Sequence, residues 1–282
     1  MTTSNPPRDT RVGVVQITSR DDVNANLDAV ERTVRQAASE GAELVLVPEC
    51  FAFLGPEQGK LELAETLGGD GPIWERCAGL ARSVGCDVVF GGFWERGSTK
   101  THVFNTCVHI GPDGGVRAAY RKVHLFDVDL EDGTRVMESD TIEPGSELVV
   151  TDTAFGKLGL SICYDLRFPE LYRALVDQGA IALAVPAAFT LTTGKDHWHV
   201  LLRARAIEQQ CYVLAAAQTG NHFGKRASYG HAMIVDPWGT GLAQCGEGEG
   251  AAVATVRPDV VSKIRAQLPS LRHRRPEVTR RG

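Results

Sequence analysis

Three reactive side chains stand where apolar segments of this sequence end. In GLSICYDLRFPEL, Gly159 to Leu171, a single cysteine, Cys163, follows a short apolar run and precedes an aspartate, an arginine and a proline. Glu49 closes the run ELVLVPE, and Lys122 follows AAYR in YRKVHLFDVD. Taken singly, each has a plain structural explanation: a cysteine packed as a small hydrophobe, or a charged residue at a solvated strand end. Taken together they make a set. A thiol can attack an acyl carbon, a carboxylate can take and return its proton, and an ammonium can hold the oxyanion that develops. Acyl transfer is the chemistry that such a set supports. A serine-hydrolase elbow is a poor alternative, because Gly159-Leu160-Ser161-Ile162-Cys163 lacks the second glycine of G-x-S-x-G.

The set can act only if three strand ends meet at one sheet edge, and the hydrophobic pattern supplies the strands. RVGVVQI reads as a strand, followed by a helix opened by Asp21 or Asp22, with Val23, Leu27, Val30 and Val34 on one face and an end near Gly41. ELVLVPE is a second strand. After a helix around Ile73 to Val84 come the strands DVVFGGF and VFNTCVHI, then VRAAYRK beyond the hairpin turn GPDGG. The second half runs LVVTDT, KLGLSI, a helix from about Pro169 to Gln178, AIALAVP, a helix from about Asp196 to Gln209, CYVLAAA, HAMIVD and AAVATV. Several strands are apolar on both faces, so both faces must be covered, which predicts a layered α/β sandwich. Cys163 then lies between the strand Lys157 to Ile162 and a helix that starts at Pro169, at a tight turn whose backbone N–H groups point outward.

Composition narrows the class. At 282 residues with 43% hydrophobic content, the chain can bury a large core, and no Pro/Gly/Ser linker divides it. A net charge of -5 gives no general attraction to nucleic acid or anionic lipid, although RHRRPEVTRRG at the end is locally basic and reads as a solvated tail. MTTSNPPRDT lacks the apolar core of a signal peptide, and no apolar run reaches the roughly 18 residues of a membrane span. Seven scattered cysteines without a CxxC pair suggest neither a disulfide framework nor a zinc site, so the expectation is a cytoplasmic protein with reduced thiols.

LVLVPECF, YRKVHLFDVD and GLSICYDLRFPELYR resemble, in order, the glutamate, lysine and cysteine blocks of the nitrilase superfamily, the carbon-nitrogen hydrolases. The resemblance spans nearly the whole chain and implies one domain over residues 11–276, with flexible termini at 1–10 and 277–282. It implies a four-layer αββα sandwich whose dimers join across one helical layer. VMESDTIEPG resembles the family loop that carries a second glutamate, here Glu138. The segment from Ala187 to Thr240 resembles the branch that includes deaminated glutathione amidase, with omega-amidase as neighbour. That branch hydrolyses small amides of 2-oxo acids. The resemblance places a substrate-binding arginine at Arg167, whose plain alternative is a salt bridge with Asp165 or Glu170, and puts Phe189 and Thr193 at the pocket wall.

The expected mechanism has Glu49 accept the Cys163 proton, Lys122 and the backbone N–H of Tyr164 hold the oxyanion, ammonia leave, and water cleave the thioester. Glu138 positions the lysine or the substrate, and no metal or organic cofactor has a task. An omega-amidase acting on 2-oxoglutaramate or 2-oxosuccinamate, an N-carbamoyl amino acid hydrolase, and a catalytically silent binding homologue are the alternatives; a redox protein would need a second cysteine close to Cys163. His197 and His199, two residues apart, are read as structural because they fall on different helix faces. Trp198, Leu201 and Leu202 are read as core or dimer contacts, and Gly220 to Lys225 lacks the length and hydroxyl of a phosphate loop.

Overall fold

The computed structural model describes residues 6–129 and 135–279. Strand β1 (Thr10–Ile17) shows how the layers arise: Val12 and Val14 enter one core, while Val15 and Ile17 enter another on the opposite face. Helix α1 (Val23–Ser39) covers the second face with Leu27, Val30 and Val34, and Asp22 caps it by accepting the Ala25 amide at 3.0 Å. In β2 (Leu44–Val47), Leu44 and Leu46 join Val12, and Val45 and Val47 join α1, so this strand is buried on both sides.

The chain continues through α2 (Glu57–Glu62) and α3 (Pro72–Val84), which ends at the left-handed Gly85. Strands β3 (Asp87–Arg96), β4 (Val103–Ile110) and β5 (Val116–Arg121) then form an antiparallel run. A short ribbon, β6 (Asp127–Asp129) with β7 (Arg135–Met137), precedes the second half. There follow β8 (Val150–Thr153), β9 (Gly156–Leu160), α4 (Pro169–Asp177), β10 (Ala182–Ala184) and α5 (Leu191–Gln209). Strands β11 (Tyr212–Ala215), β12 (Ala217–Asn221), β13 (Ala227–Tyr229), β14 (Met233–Val235), β15 (Gly241–Gln244) and β16 (Gly250–Val256) lead to α6 (Pro258–Gln267) and α7 (Pro276–Thr279).

One sheet has the order β13-β12-β1-β2-β3-β4-β5, with β16 also paired to β1; the other has the order β15-β14-β11-β10-β9-β8. The inner core joins Val12, Leu44 and Tyr120 of the first sheet to Leu158, Leu183 and Leu214 of the second, and Tyr172 of α4 and Trp198 of α5 belong to the same cluster. Helices α1 and α3 cover the outer face of the first sheet. The layers are therefore α, β, β, α, the sandwich expected. In the first sheet β2 is parallel to β3, in the second β10 is parallel to both β9 and β11, and the residues that follow β2 and β9, Glu49 and Cys163, line one cavity between the sheets' ends.

Helix α5 starts at Leu191, five residues before the expected Asp196. LTTG contains weak helix formers, but packing decides the matter: a Cβ on Gly194 would lie 2.3 Å from that of Tyr229, so only glycine lets this turn pack against β13. The expected flexible termini fall in part on residues 1–5 and 280–282, outside the described residues. Within them, the Arg8 amide donates to Ala154 O at 3.0 Å and its guanidinium pairs with Glu43. Among the described residues no helix is long and apolar enough to cross a membrane.

Candidate active site

Glu49 leaves the end of β2 beside a bulge in β3, where Gly91 and Gly92 pass. A Cβ on Gly92, whose φ is +71°, would lie 2.5 Å from the Cys50 amide and 3.0 Å from Glu49 Cγ. A side chain there would collide with the segment that carries the carboxylate. Lys122 follows β5 directly, its backbone held by Asn105 O and by the Gly145 amide. Cys163 opens a 3₁₀ turn after β9, in the left-handed region at φ +45°, with its amide bonded to Pro186 O at 2.9 Å. A non-glycine residue in that region costs about 1–3 kcal/mol, and it persists only because its surroundings fix it.

The fixing group is Asp165, which is fully buried. One carboxylate oxygen accepts the Ile162 amide at 2.8 Å and the Tyr120 hydroxyl at 2.7 Å; the other accepts the amide and Nδ1 of His124. His124 in turn stacks on Phe168, with ring centroids 3.7 Å apart. The turn bearing the thiol is thus tied to the segment bearing the lysine.

At the centre, Lys122 is 1% exposed and its ammonium donates to Glu49 Oε1 at 3.0 Å and to both oxygens of Glu138 at 2.9 and 2.8 Å. Glu49 also accepts from Asn105 Nδ2 and from the Ala188 amide, each at 2.9 Å, and the Cys163 thiol lines the same cavity. Burial pushes the Glu49 carboxyl up, but Lys122 and these donors outweigh it and hold the group below the ordinary carboxylate range. Burial pulls Lys122 down, yet two carboxylates beside it raise it well above an ordinary lysine. Burial and then the Glu49 charge push the Cys163 thiol well above its usual value, with Lys122 opposing. The resting charges are therefore a carboxylate, an ammonium and a neutral thiol.

These side chains line a cavity of about 320 Å³ together with Tyr164, Arg167, Phe189, Thr193 and Arg226. Three cations (Lys122, Arg167, Arg226) face two carboxylates (Glu49, Glu138), which leaves one surplus positive charge for a ligand. The cavity brings together Glu49, Lys122, Glu138, Cys163, Tyr164, Arg167, Phe189 and Thr193, the residues named from the sequence. Neither Asp165 nor Glu170 pairs with Arg167 among the described residues: its guanidinium lies 5.1 Å from the Phe189 ring centroid and 5.9 Å from that of Tyr164, and Nη1 is 3.3 Å from His197 Nδ1. His197, read from the sequence as structural, thus contacts a cavity residue, whereas His199 turns away to Gln244. Trp198 and Leu202 are core. Asn105, Ala188 and Arg226 were not singled out from the sequence, and Asp165 entered only as a possible ion-pair partner of Arg167. Asn105 had a signal, a polar residue inside the apolar strand VFNTCVHI; the Ala188 amide had none.

The sequence profile of the carbon-nitrogen hydrolases matches residues 11–266. The chain belongs to the carbon-nitrogen hydrolase family. It is 48% identical over 263 residues to a deaminated glutathione amidase of Synechocystis, covering 92% of this chain and 96% of that one. Yeast Nit3, a member of branch 10 of the nitrilase superfamily, superposes with a TM-score of 0.82 at 32% identity, over 93% of this chain and 95% of the other. An amidase from Nesterenkonia superposes at 0.76 with 27% identity, over 93% and 98% of the two chains; in that structure a glutamate is changed to glutamine and acrylamide has added to the active-site cysteine. The hydrolase is thus a nitrilase-superfamily enzyme. Among its described residues no group of three or more His, Cys, Asp or Glu side chains is arranged to hold a metal ion.

Proposed function

We propose that this hydrolase cleaves the amide of a small, carboxylate-bearing 2-oxo acid, with deaminated glutathione as the leading substrate, through a thioester on Cys163. The observation that carries the reading is the buried Glu49 carboxylate, which accepts from the Lys122 ammonium at 3.0 Å and lines one cavity with the Cys163 thiol, a cavity with a surplus positive charge. The name of the Synechocystis relative supports the substrate class.

Because the thiol is neutral at rest, attack and deprotonation go together: sulfur bonds to the carbonyl carbon as its proton passes to Glu49. Lys122 and the Tyr164 amide hold the oxygen that takes up the negative charge. The tetrahedral adduct collapses, the C–N bond breaks, and the amine leaves with the proton from Glu49. Water then gives a proton to Glu49 as it adds to the thioester, the second adduct collapses with cleavage of the C–S bond to release the acid, and the proton on Glu49 returns to the Cys163 sulfur. Glu138 keeps Lys122 charged and aimed. The ammonia expected from the sequence is the product of primary amides only. An amide nitrogen that carries a dipeptide, as in deaminated glutathione, releases that dipeptide.

The test is turnover of deaminated glutathione, 2-oxoglutaramate, 2-oxosuccinamate, an N-carbamoyl amino acid and propionamide, read by free amine and by ammonia. Preference for the N-carbamoyl substrate would overturn the acyl assignment. Arg167 is proposed to pair with the carboxylate of the acyl group, a charge-assisted contact in a half-buried site. Arg167→Met should lower kcat/KM for deaminated glutathione by about 2–4 kcal/mol while leaving Cys163 reactive to iodoacetamide. Propionamide, turned over poorly by the wild type, should hardly change. Equal losses on charged and uncharged amides would instead assign Arg167 to holding the Tyr164 and Phe189 rings.

We also propose a cytoplasmic homodimer that covers the outer face of α5, where Val200 and Ile207 are exposed, with Trp238 exposed beside Gly239, against which Ile207 packs. A monomeric mass by light scattering would remove that proposal.

A further inference from the structure

A second cavity, of about 350 Å³, adjoins the first and shares two of its walls, Glu138 and Arg226. Its remaining lining includes Phe53, Leu54, Trp94 and Val136, with the buried Lys60 at one side. Lys60 lies 5.3 Å from the Trp94 ring centroid and is paired with Glu57, and Glu138 is paired with Lys122, so the charges of both are matched. Among the described residues no carboxylate pairs with Arg226. The cavity thus has an apolar wall of Phe53, Leu54, Trp94 and Val136, two lining carboxylates, Glu57 and Glu138, that are paired with Lys60 and Lys122, and one cation without a carboxylate partner, Arg226, at the boundary it shares with the thiol's cavity.

Arg226 is held at that boundary. It ends the turn between β12 and β13, with His222 N donating to Arg226 O at 2.9 Å and Arg226 N to Phe223 O at 3.0 Å. The His222 ring fixes the turn to the body of the protein, with Nδ1 2.7 Å from Ser19 O and Nε2 2.8 Å from Ser228 Oγ. A guanidinium on a fixed turn beside an apolar hollow suits a carboxylate carried on a short, partly apolar stem.

An amide places two groups on opposite sides of the carbonyl carbon. With the acyl side directed to Arg167, Phe189 and Thr193, the nitrogen substituent must leave the reaction centre elsewhere, and the hollow behind Glu138 adjoins it. We infer that this second cavity is the subsite for the leaving amine, that its occupant is an amine bearing a carboxylate, such as a small amino acid or dipeptide, and that Arg226 selects it. The inference rests on the amidase reading above and extends it: the enzyme is built for secondary amides with an anionic leaving group, and primary amides leave half of the site empty.

The experiment compares three amides of one acyl group, the primary, the N-methyl and the N-carboxymethyl amide, within 2-oxoglutaryl, glutaryl and propionyl series. All ratios are taken inside a series that the wild type turns over. A wrong acyl assignment therefore changes which series works, and a wrong subsite changes the ratios inside it. The wild type should have a higher kcat/KM for the N-carboxymethyl than for the N-methyl amide. Arg226→Met should reduce that ratio at least tenfold, and Arg226→Lys should restore part of it. Val136→Trp, which fills the hollow without touching its charge, should slow both N-substituted amides at least tenfold relative to the primary amide. A wild type with no preference for the carboxylate, an Arg226→Met loss equal across all three amides, or a Val136→Trp enzyme that still accepts N-substituted amides would each overturn the subsite.

Discussion

Cys163→Ser is expected to lower kcat for any amide substrate by at least about a thousandfold while the fold remains. In the proposed mechanism the proton acceptor is a carboxyl held below its ordinary range by Lys122 first and then by the Cys163 thiol and the Ala188 amide, so it is a weak base. The thiol itself is raised by burial and by the Glu49 charge, so on this proposal it gives up its proton only as the C–S bond forms. A serine hydroxyl starts several pKa units higher still, and each unit is about 1.4 kcal/mol of additional barrier if proton transfer is complete at the transition state. The fold should persist because oxygen for sulfur leaves the left-handed backbone, the Pro186 contact and the Asp165 bonds unchanged. Acid quench of the wild type during turnover should give an acyl mass on the peptide that contains Cys163, and the variant should give none. Retention of more than a few percent of wild-type activity would sink the nucleophile.

The parts of this site that were legible from the residue pattern itself, without the family resemblance that pointed to Glu138, Arg167, Phe189 and Thr193, share one property: a charged or nucleophilic residue interrupts an apolar strand pattern at its end. Glu49, Lys122 and Cys163 all do so, and the layered fold follows from the same strands, because LVLV has apolar side chains on both faces. What was not legible depends on pairing across long separations. Asn105 reaches Glu49 from β4, the Ala188 amide reaches it from 139 residues away, and Arg226 arrives on a hairpin turn whose place is set by His222 and Ser19. Asp165 stands in plain view two residues after the thiol. Its task appears only when Tyr120 and His124 are seen to share its carboxylate.

The same long-range pairing explains which substitutions can report on mechanism. Removing the Lys122 charge would leave Glu49 and Glu138 buried without a counter-ion, a change of the size that unfolds proteins, so a loss of activity there would say little about the oxyanion. Glu49 is a better site to alter, because Lys122 keeps Glu138 when Glu49 becomes neutral. Its neighbours can also adapt. A glutamine oxygen can accept the Ala188 amide, and the Asn105 side chain, whose Oδ1 is buried without a partner among the described residues, can turn to accept the new amide.

Glu49→Gln should therefore separate two properties that are joined in the wild type. Hydrolysis should fall by at least about a thousandfold, because both the proton acceptor for attack and the proton donor for the leaving amine are gone, and the thioester step loses its base. Alkylation of Cys163 should go the other way. In the wild type, burial and then the Glu49 charge hold the thiol up against the pull of Lys122; in the variant the second push is absent and the pull remains, so the thiol's pKa moves down. Each unit of that fall multiplies the thiolate present at neutral pH by about ten, so acrylamide should add to the variant roughly tenfold faster than to the wild type at pH 7.5. For the wild type, kcat/KM should vary little from pH 6 to 9, since Glu49 is already ionised and catalysis does not wait for a free thiolate. A tenfold rise per pH unit across that range would show that a pre-formed thiolate attacks, and a parallel fall of alkylation and hydrolysis in Glu49→Gln would show that the carboxylate holds the site together. Faster alkylation with hydrolysis lost leaves general-base catalysis by Glu49 as the account that fits both, because a residue needed only for structure would slow the two reactions together.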